Sequence, residues 1–173
     1  MGLKVLIVMG SDSDLDALMP AIKILSELKV EHEVMVASAH RTPERVTTLA
    51  RGAKKNGFGI VIAAAGGAAH LAGVIAAHTT IPVLAVPIAI GTLGGIDALL
   101  SAIQMPGGIP VASVGVGGAR NAGLFAAQML ATHDETLAAA IEAFRAKQEG
   151  AVTEADARVR AKLAGERGEK GKP

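Results

Sequence analysis

Apolar positions along the chain alternate between two patterns. Leu3 to Met9 is a run rich in Val and Ile, the mark of a strand buried on both faces of a sheet. After the polar stretch Gly10-Ser11-Asp12-Ser13-Asp14, apolar residues return at Leu15, Leu18, Met19, Ile22, Leu25 and Leu28, which lie on one face of a helix. This strand, loop and helix unit then recurs. Further strands are predicted at Glu33 to Val36, Gly59 to Ala63, Pro82 to Val86 and Val111 to Val116. Helices are predicted at Pro43 to Lys55, His70 to His78, Ile96 to Gln104, Asn121 to Ala131 and Glu135 to Glu149.

Such alternation implies an α/β chain with a parallel sheet covered on both faces, doubly wound in a flavodoxin-like or Rossmann-like order. Residues 1–150 are expected to form one catalytic domain. Residues 151–173 read as a charged C-terminal tail, expected to be partly disordered. One segment asks for more than a fold: between Phe58 and Ala119 the only Asp, Glu, Lys or Arg is Asp97. Gly66, Gly67, Gly73, Pro82 and Pro87 interrupt every window long enough to span a bilayer, so burial between subunits is the better reading.

Composition narrows the chemistry. The 173 residues carry 17 basic and 16 acidic side chains, a formal net charge of +1 that gives no broad field for nucleic acid or an anionic membrane. An anionic ligand must be met by local groups. There is no cysteine, which excludes disulfides and zinc-thiolate sites, and the opening residues lack the pattern of a signal peptide. Cytoplasm is the expected compartment. Aromatic residues are 2% of the chain, three Phe with no Trp or Tyr, and this lack of Trp and Tyr argues against a flavin, which needs aromatic stacking.

Three strand-to-helix loops carry candidate chemistry, and in an open parallel sheet such loops gather at the carboxyl ends of the strands. In the first, Met9 to Asp14, the Ser11 hydroxyl and the amides entering a helix can hold a phosphate, and Asp14 can accept from a ribose diol. The same residues would also serve a plain turn and helix cap. The second, Ser38-Ala39-His40-Arg41-Thr42-Pro43, sets an imidazole beside a guanidinium: His40 can give and take a proton, and Arg41 can clamp phosphate in a fork. A capping loop with a solvent-facing His is the bland alternative. In the third, Ala64 to Gly73, the pair Gly66 and Gly67 with Ala68 leaves backbone amides open to a flat ligand or a carboxylate, and His70 either orients that ligand or satisfies the loop.

Other sites are absent from the sequence. His32, His78 and His133 stand without comparable company, and surface or interface roles are expected for them. No Walker loop, dinucleotide fingerprint, zinc-ligand spacing or Gly-x-Ser-x-Gly elbow occurs. No metal or cofactor is expected.

Taken in order, the motifs at Met9 to Asp14, Ser38 to Pro43, Ala65 to Leu71 and Gln104 to Pro106 resemble those of the N5-carboxyaminoimidazole ribonucleotide mutases, the catalytic subunit family of phosphoribosylaminoimidazole carboxylase. The resemblance runs from about Leu3 to Glu149. It implies a three-layer α/β/α sandwich with flavodoxin-like topology, assembled as a homo-octamer. It implies an isomerase of purine (IMP) biosynthesis acting on a small nucleotide, with no cofactor, nucleic acid or membrane partner. His40 matches the family's general acid and base. Ser11, Asp14, Ser38 and Arg41 match substrate-binding positions, and Gly66, Gly67, Ala68 and His70 surround the migrating carboxyl group. Arg41 and the Gly-Gly-Ala-Ala-His loop favour the mutases over a second branch, which carboxylates aminoimidazole ribonucleotide directly. Four departures stand out: Ala72 replaces a common Pro, Ala64-Ala65 a more usual Gly-Ala, Ala89 and Ile90 are less polar than in many relatives, and the segment Gly117 to Asn121 is shorter than in some.

Overall fold

A computed structural model describes residues 3–169. Strands β1 (Lys4–Met9), β2 (His32–Val36), β3 (Phe58–Gly66), β4 (Val83–Ile88) and β5 (Ala112–Ser113) form one parallel sheet in the order β2-β1-β3-β4-β5. That is the flavodoxin-like order implied by the family resemblance, one of the two that periodicity alone left open. Helices α1 (Leu15–Glu27), α2 (Pro43–Ala53), α3 (Leu71–Ala76), α4 (Ile96–Ile103), α5 (Ala119–Ala131) and α6 (Glu135–Glu169) connect and cover it.

Side chains alternate along each central strand and so feed two cores. Val5, Ile7 and Met9 of β1 and Ile60, Ile62 and Ala64 of β3 pack under α1, α5 and α6. Leu6, Val8, Val61 and Ala63 pack under α2, α3 and α4. The shortage of large rings is met by close backbone approach. A Cβ on Gly123 of α5 would lie 2.6 Å from Ile24 Cγ2 and 3.0 Å from the Ala21 carbonyl oxygen, so only glycine lets α5 lie this near α1.

Two elements differ from expectation. β5 is confined to Ala112–Ser113, where six residues were predicted. The amides of Val114 and Gly117 still donate to the Ala85 and Pro87 carbonyls, but Pro87 has no N–H to return, and Gly117 (φ 71) turns the chain away. Helix α6 continues to Glu169, well past the predicted Glu149, and so takes in most of the segment read as a tail. Ala, Glu, Arg and Lys dominate that segment, and the pairs Glu154 with Arg158 and Asp156 with Arg160 stand one turn apart on the helix. The last four residues of that tail, 170–173, lie outside the described residues, as do Met1 and Gly2. No helix among the described residues is long and apolar enough to cross a membrane.

The charge-poor middle of the chain leaves apolar side chains in solvent. Leu93, Ile96, Leu100 and Ile103 are exposed on α4 and the loop before it. Nearby, the Asp97 Oδ1 is buried without a hydrogen-bond partner.

Candidate active site

The chain reverses its winding between β1 and β3. The helix after β1 covers one face of the sheet and the helix after β3 covers the other, which opens a crevice at the carboxyl ends of these strands. All three chemistry-bearing loops meet there.

The loop after β1 is a capped turn. The Ser13 amide donates to Ser11 Oγ at 3.4 Å and the Ser11 amide to Asp14 Oδ2 at 3.1 Å, which forms a reciprocal capping box over a short turn of 3-10 helix. The cap read as an alternative to ligand binding is therefore present. It occupies the Ser11 and Asp14 side chains only in part, since a hydroxyl and a carboxylate each keep further hydrogen-bonding capacity.

The loop after β2 folds on itself. Thr42 Oγ1 accepts from the Ser38 amide at 2.9 Å and donates to the Ser38 carbonyl at 3.1 Å, and the Arg41 amide donates to Ser38 Oγ at 3.2 Å. This leaves His40 and Arg41 side by side and projecting. Arg41 Nη2 donates to the Gly10 carbonyl at 2.8 Å and its Nε to Ser38 Oγ at 3.4 Å, which ties the second loop to the first. Of the five guanidinium donors, three remain for an anion.

The loop after β3 completes the crevice. His40 Nε2 and His70 Nδ1 lie 2.9 Å apart with the rings perpendicular, and one nitrogen must donate while the other accepts. That contact orients the His40 ring. Gly67 takes φ 62, a left-handed conformation that favours glycine, and a Cβ on Gly66 would fall 2.6 Å from Ile90 Cγ1. The Ala69 amide donates to the Gly67 carbonyl at 2.8 Å and the His70 amide to Ala68 at 2.8 Å, which curls the loop around half-buried Gly66 and Gly67 and exposed Ala68.

All nine residues singled out in the sequence are therefore in these three loops. Three contributors were not. Thr42 braces Ser38, Ser13 donates through Oγ to Ser11 Oγ at 2.9 Å, and Ile90 lies over Gly66. Thr42 had a local signal in its four-residue offset from Ser38, whereas Ile90, marked in the sequence only as less polar than in many relatives, lies just past β4 and had no signal for this contact.

The crevice is open to solvent in the single chain. Two other concavities lie elsewhere, one of about 770 Å³ at the opposite end of the sheet beside Leu28, Ile60 and Leu137, the other of about 380 Å³ beside Phe125 and Phe144. Neither reaches the converging loops, and the polar groups of the crevice make it the better candidate. Among the described residues no three His, Asp or Glu side chains gather as a metal site would require.

Comparison with known proteins shows the family of the chain. The family model described as AIR carboxylase matches residues 4–151. A relative from Synechocystis, named N5-carboxyaminoimidazole ribonucleotide mutase, is 50% identical over 87% of this chain and 86% of its own. One of the same name from Escherichia coli is 49% identical over 87% and 90%. The crystal structure of Treponema denticola PurE superimposes with a TM-score of 0.79 at 25% identity, covering 89% of this chain and 96% of that one.

Asp14 carries a stability signature. Burial pushes its carboxyl above the ordinary aspartate value of 3.8, against the hydrogen bond from Ser11 and the charge of Arg41. Just above 3.8 the folded chain therefore holds a proton that the unfolded chain has released, and the stability contributed by this group falls as pH rises through that interval. At neutral pH the ionised carboxylate is carried at a cost. Asp14→Asn removes the charge and keeps an oxygen for the Ser11 amide, so its denaturant midpoint at pH 7 is expected to equal or exceed the parent's. A clearly lower midpoint would show that the carboxylate is held for the fold.

Proposed function

Because the chain belongs to the AIR carboxylase family, we propose that it is an N5-carboxyaminoimidazole ribonucleotide mutase, an isomerase of de novo purine biosynthesis. It moves a carboxyl group from the exocyclic nitrogen of its substrate to the adjacent ring carbon, forming 4-carboxy-5-aminoimidazole ribonucleotide. The observation that carries the reading is the contact of His40 with His70 beside the Gly66-Gly67 turn, with Arg41 spanning to the first loop. Relatives carrying the mutase name at about half identity favour it over direct carboxylation.

The mechanism follows from these groups. Ser11, Asp14, Ser38 and Arg41 hold phosphate and ribose. The carbamate C–N bond breaks, carbon dioxide leaves, and His40 gives its proton to the nitrogen. Held against the Gly66 to His70 backbone, carbon dioxide is attacked by the adjacent ring carbon, and His40 takes the proton that this carbon sheds. Proton count and charge on His40 are thereby restored, and the reaction calls for no metal or cofactor. Positioning does the work: two reactants kept together in a closed space recombine before either escapes. His70 orients His40 through the bond they share.

An open crevice does not hold a gas, and a second copy is the natural cover. We propose a closed homo-octamer in the cytoplasm, formed over the exposed face of Ile96, Leu100 and Ile103 and the neighbouring Leu93. Light scattering at micromolar protein is expected to give a mass several times that of one chain, and a monomer mass would leave this face unexplained.

The role of His40 is tested by His40→Asn, which keeps size and a polar end but does not shuttle protons. Turnover is expected to fall at least ~10²-fold while calorimetric affinity for the nucleotide persists. Turnover near the parent's would remove His40 from the chemistry, and joint loss of binding would make it an anchor.

A further inference from the structure

The face of α6 that packs on the domain does not stop where the domain stops. Leu137, Ile141 and Phe144 are buried against the sheet and α5, and at helical intervals beyond them come Val152, Val159 and Leu163. These three continue the same stripe, yet they are 70%, 57% and 51% exposed. Helix propensity alone does not require such a stripe: a helix meant for solvent is polar all round. The segment also lies past residue 151, where the match to the family model ends.

Charge along this segment has a direction. Glu149, Glu154 and Asp156 precede Arg158, Arg160 and Lys162, so the acidic half comes first and the basic half second. Arg160 Nε lies 2.9 Å from Asp156 Oδ2 within the helix, and both residues border the apolar stripe. Turned end for end about a point near Arg158, a second copy of this helix sets its basic half against the acidic half of the first. Asp156 of one copy then lies opposite Arg160 of the other, and Val152 opposite Leu163. A parallel pairing would instead oppose like charges and carry no such match.

We propose that the distal half of α6, from Val152 to Leu163, is a self-recognition element that pairs antiparallel with the same segment of a second copy. The apolar stripe spans about 16 Å at 1.5 Å per residue, three turns of contact. That is short for an isolated pair, and it acts between chains already tethered by their domains, where local concentration is high. The pairing is isologous, since each copy offers the other the same surface.

The lack of cysteine makes the test direct, because a single introduced thiol can react only with its own copy. Val159 stands on the stripe one residue from the midpoint, and Ala157 stands beside it on the opposite face of the helix. Neither belongs to the three loops of the candidate active site, so catalytic turnover reports that each variant is folded. A disulfide needs Cα atoms within roughly 7 Å. Mild oxidation of Val159→Cys is expected to shift the denatured chain from monomer to covalent dimer, while Ala157→Cys stays monomeric. No linkage through either residue would overturn the pairing and point to a neighbouring domain as the cover of the stripe. Equal linkage through both would mean random collision and overturn it as well.

Discussion

The pairing of β1 with β3 governs where every group of the crevice stands. Met9 lies beside Ala64 in parallel register, and the Gly10 amide continues the ladder to the Ala64 carbonyl at 3.3 Å. From these adjacent strand ends the chain leaves toward opposite faces of the sheet. The Ser11 to Asp14 turn and the Gly66 to His70 turn are thereby held apart at the top yet anchored side by side at the base. β2 pairs with the other edge of β1, and the Ala37 amide donates to the Met9 carbonyl at 2.9 Å, which brings the His40 loop to the same end. Small residues make this possible: Ala63, Ala64 and Gly66 let a helix layer and a loop approach β3 closely, and Ile90 occupies the space a Cβ on Gly66 would need.

Much of this was legible in the sequence for a definite reason. Central parallel strands are apolar on both faces, and α1, α2 and α5 carry one apolar face each, so periodicity alone separates them. The motif residues were legible because strand-to-helix loops have a fixed place in such a sheet, and nothing tertiary is needed to gather Ser11, His40 and Gly66 at one end. Strand order was legible only through the family resemblance and not in the periodicity. Periodicity does not say whether β3 pairs with β1, and the choice between two windings was made by non-local pairing. The limits of β5 depended on the missing donor of Pro87 in the strand beside it. The reach of α6 was hidden by Gly150, a residue that weakens a helix by only about 1 kcal/mol and is outweighed by the Ala, Glu and Arg around it.

Residue contacts within the crevice divide in the same way. The Ser11 cap and the Ser38 to Thr42 brace are local, and their residue types announce them. The bond between His40 and His70 joins residues thirty positions apart, and Arg41 reaches Gly10 across thirty-one. Those two contacts convert three ordinary loops into one site. In the same crevice Asp14 is partly buried against the preference of its charge. The apolar α4 face and the α6 stripe follow the same logic at a larger scale, since each is a surface that one chain alone leaves unsatisfied.

The central claim is that the carboxyl group lost from nitrogen is the one regained at carbon, within a crevice organised around His40. Conversion of unlabelled N5-carboxyaminoimidazole ribonucleotide in carbon-13 bicarbonate, with mass analysis of the product at early times, tests it most directly. The account predicts product whose new carboxyl carbon is unlabelled while the surrounding pool is enriched. Product labelled to the level of the pool from the first turnovers would contradict it and identify the reaction as direct carboxylation.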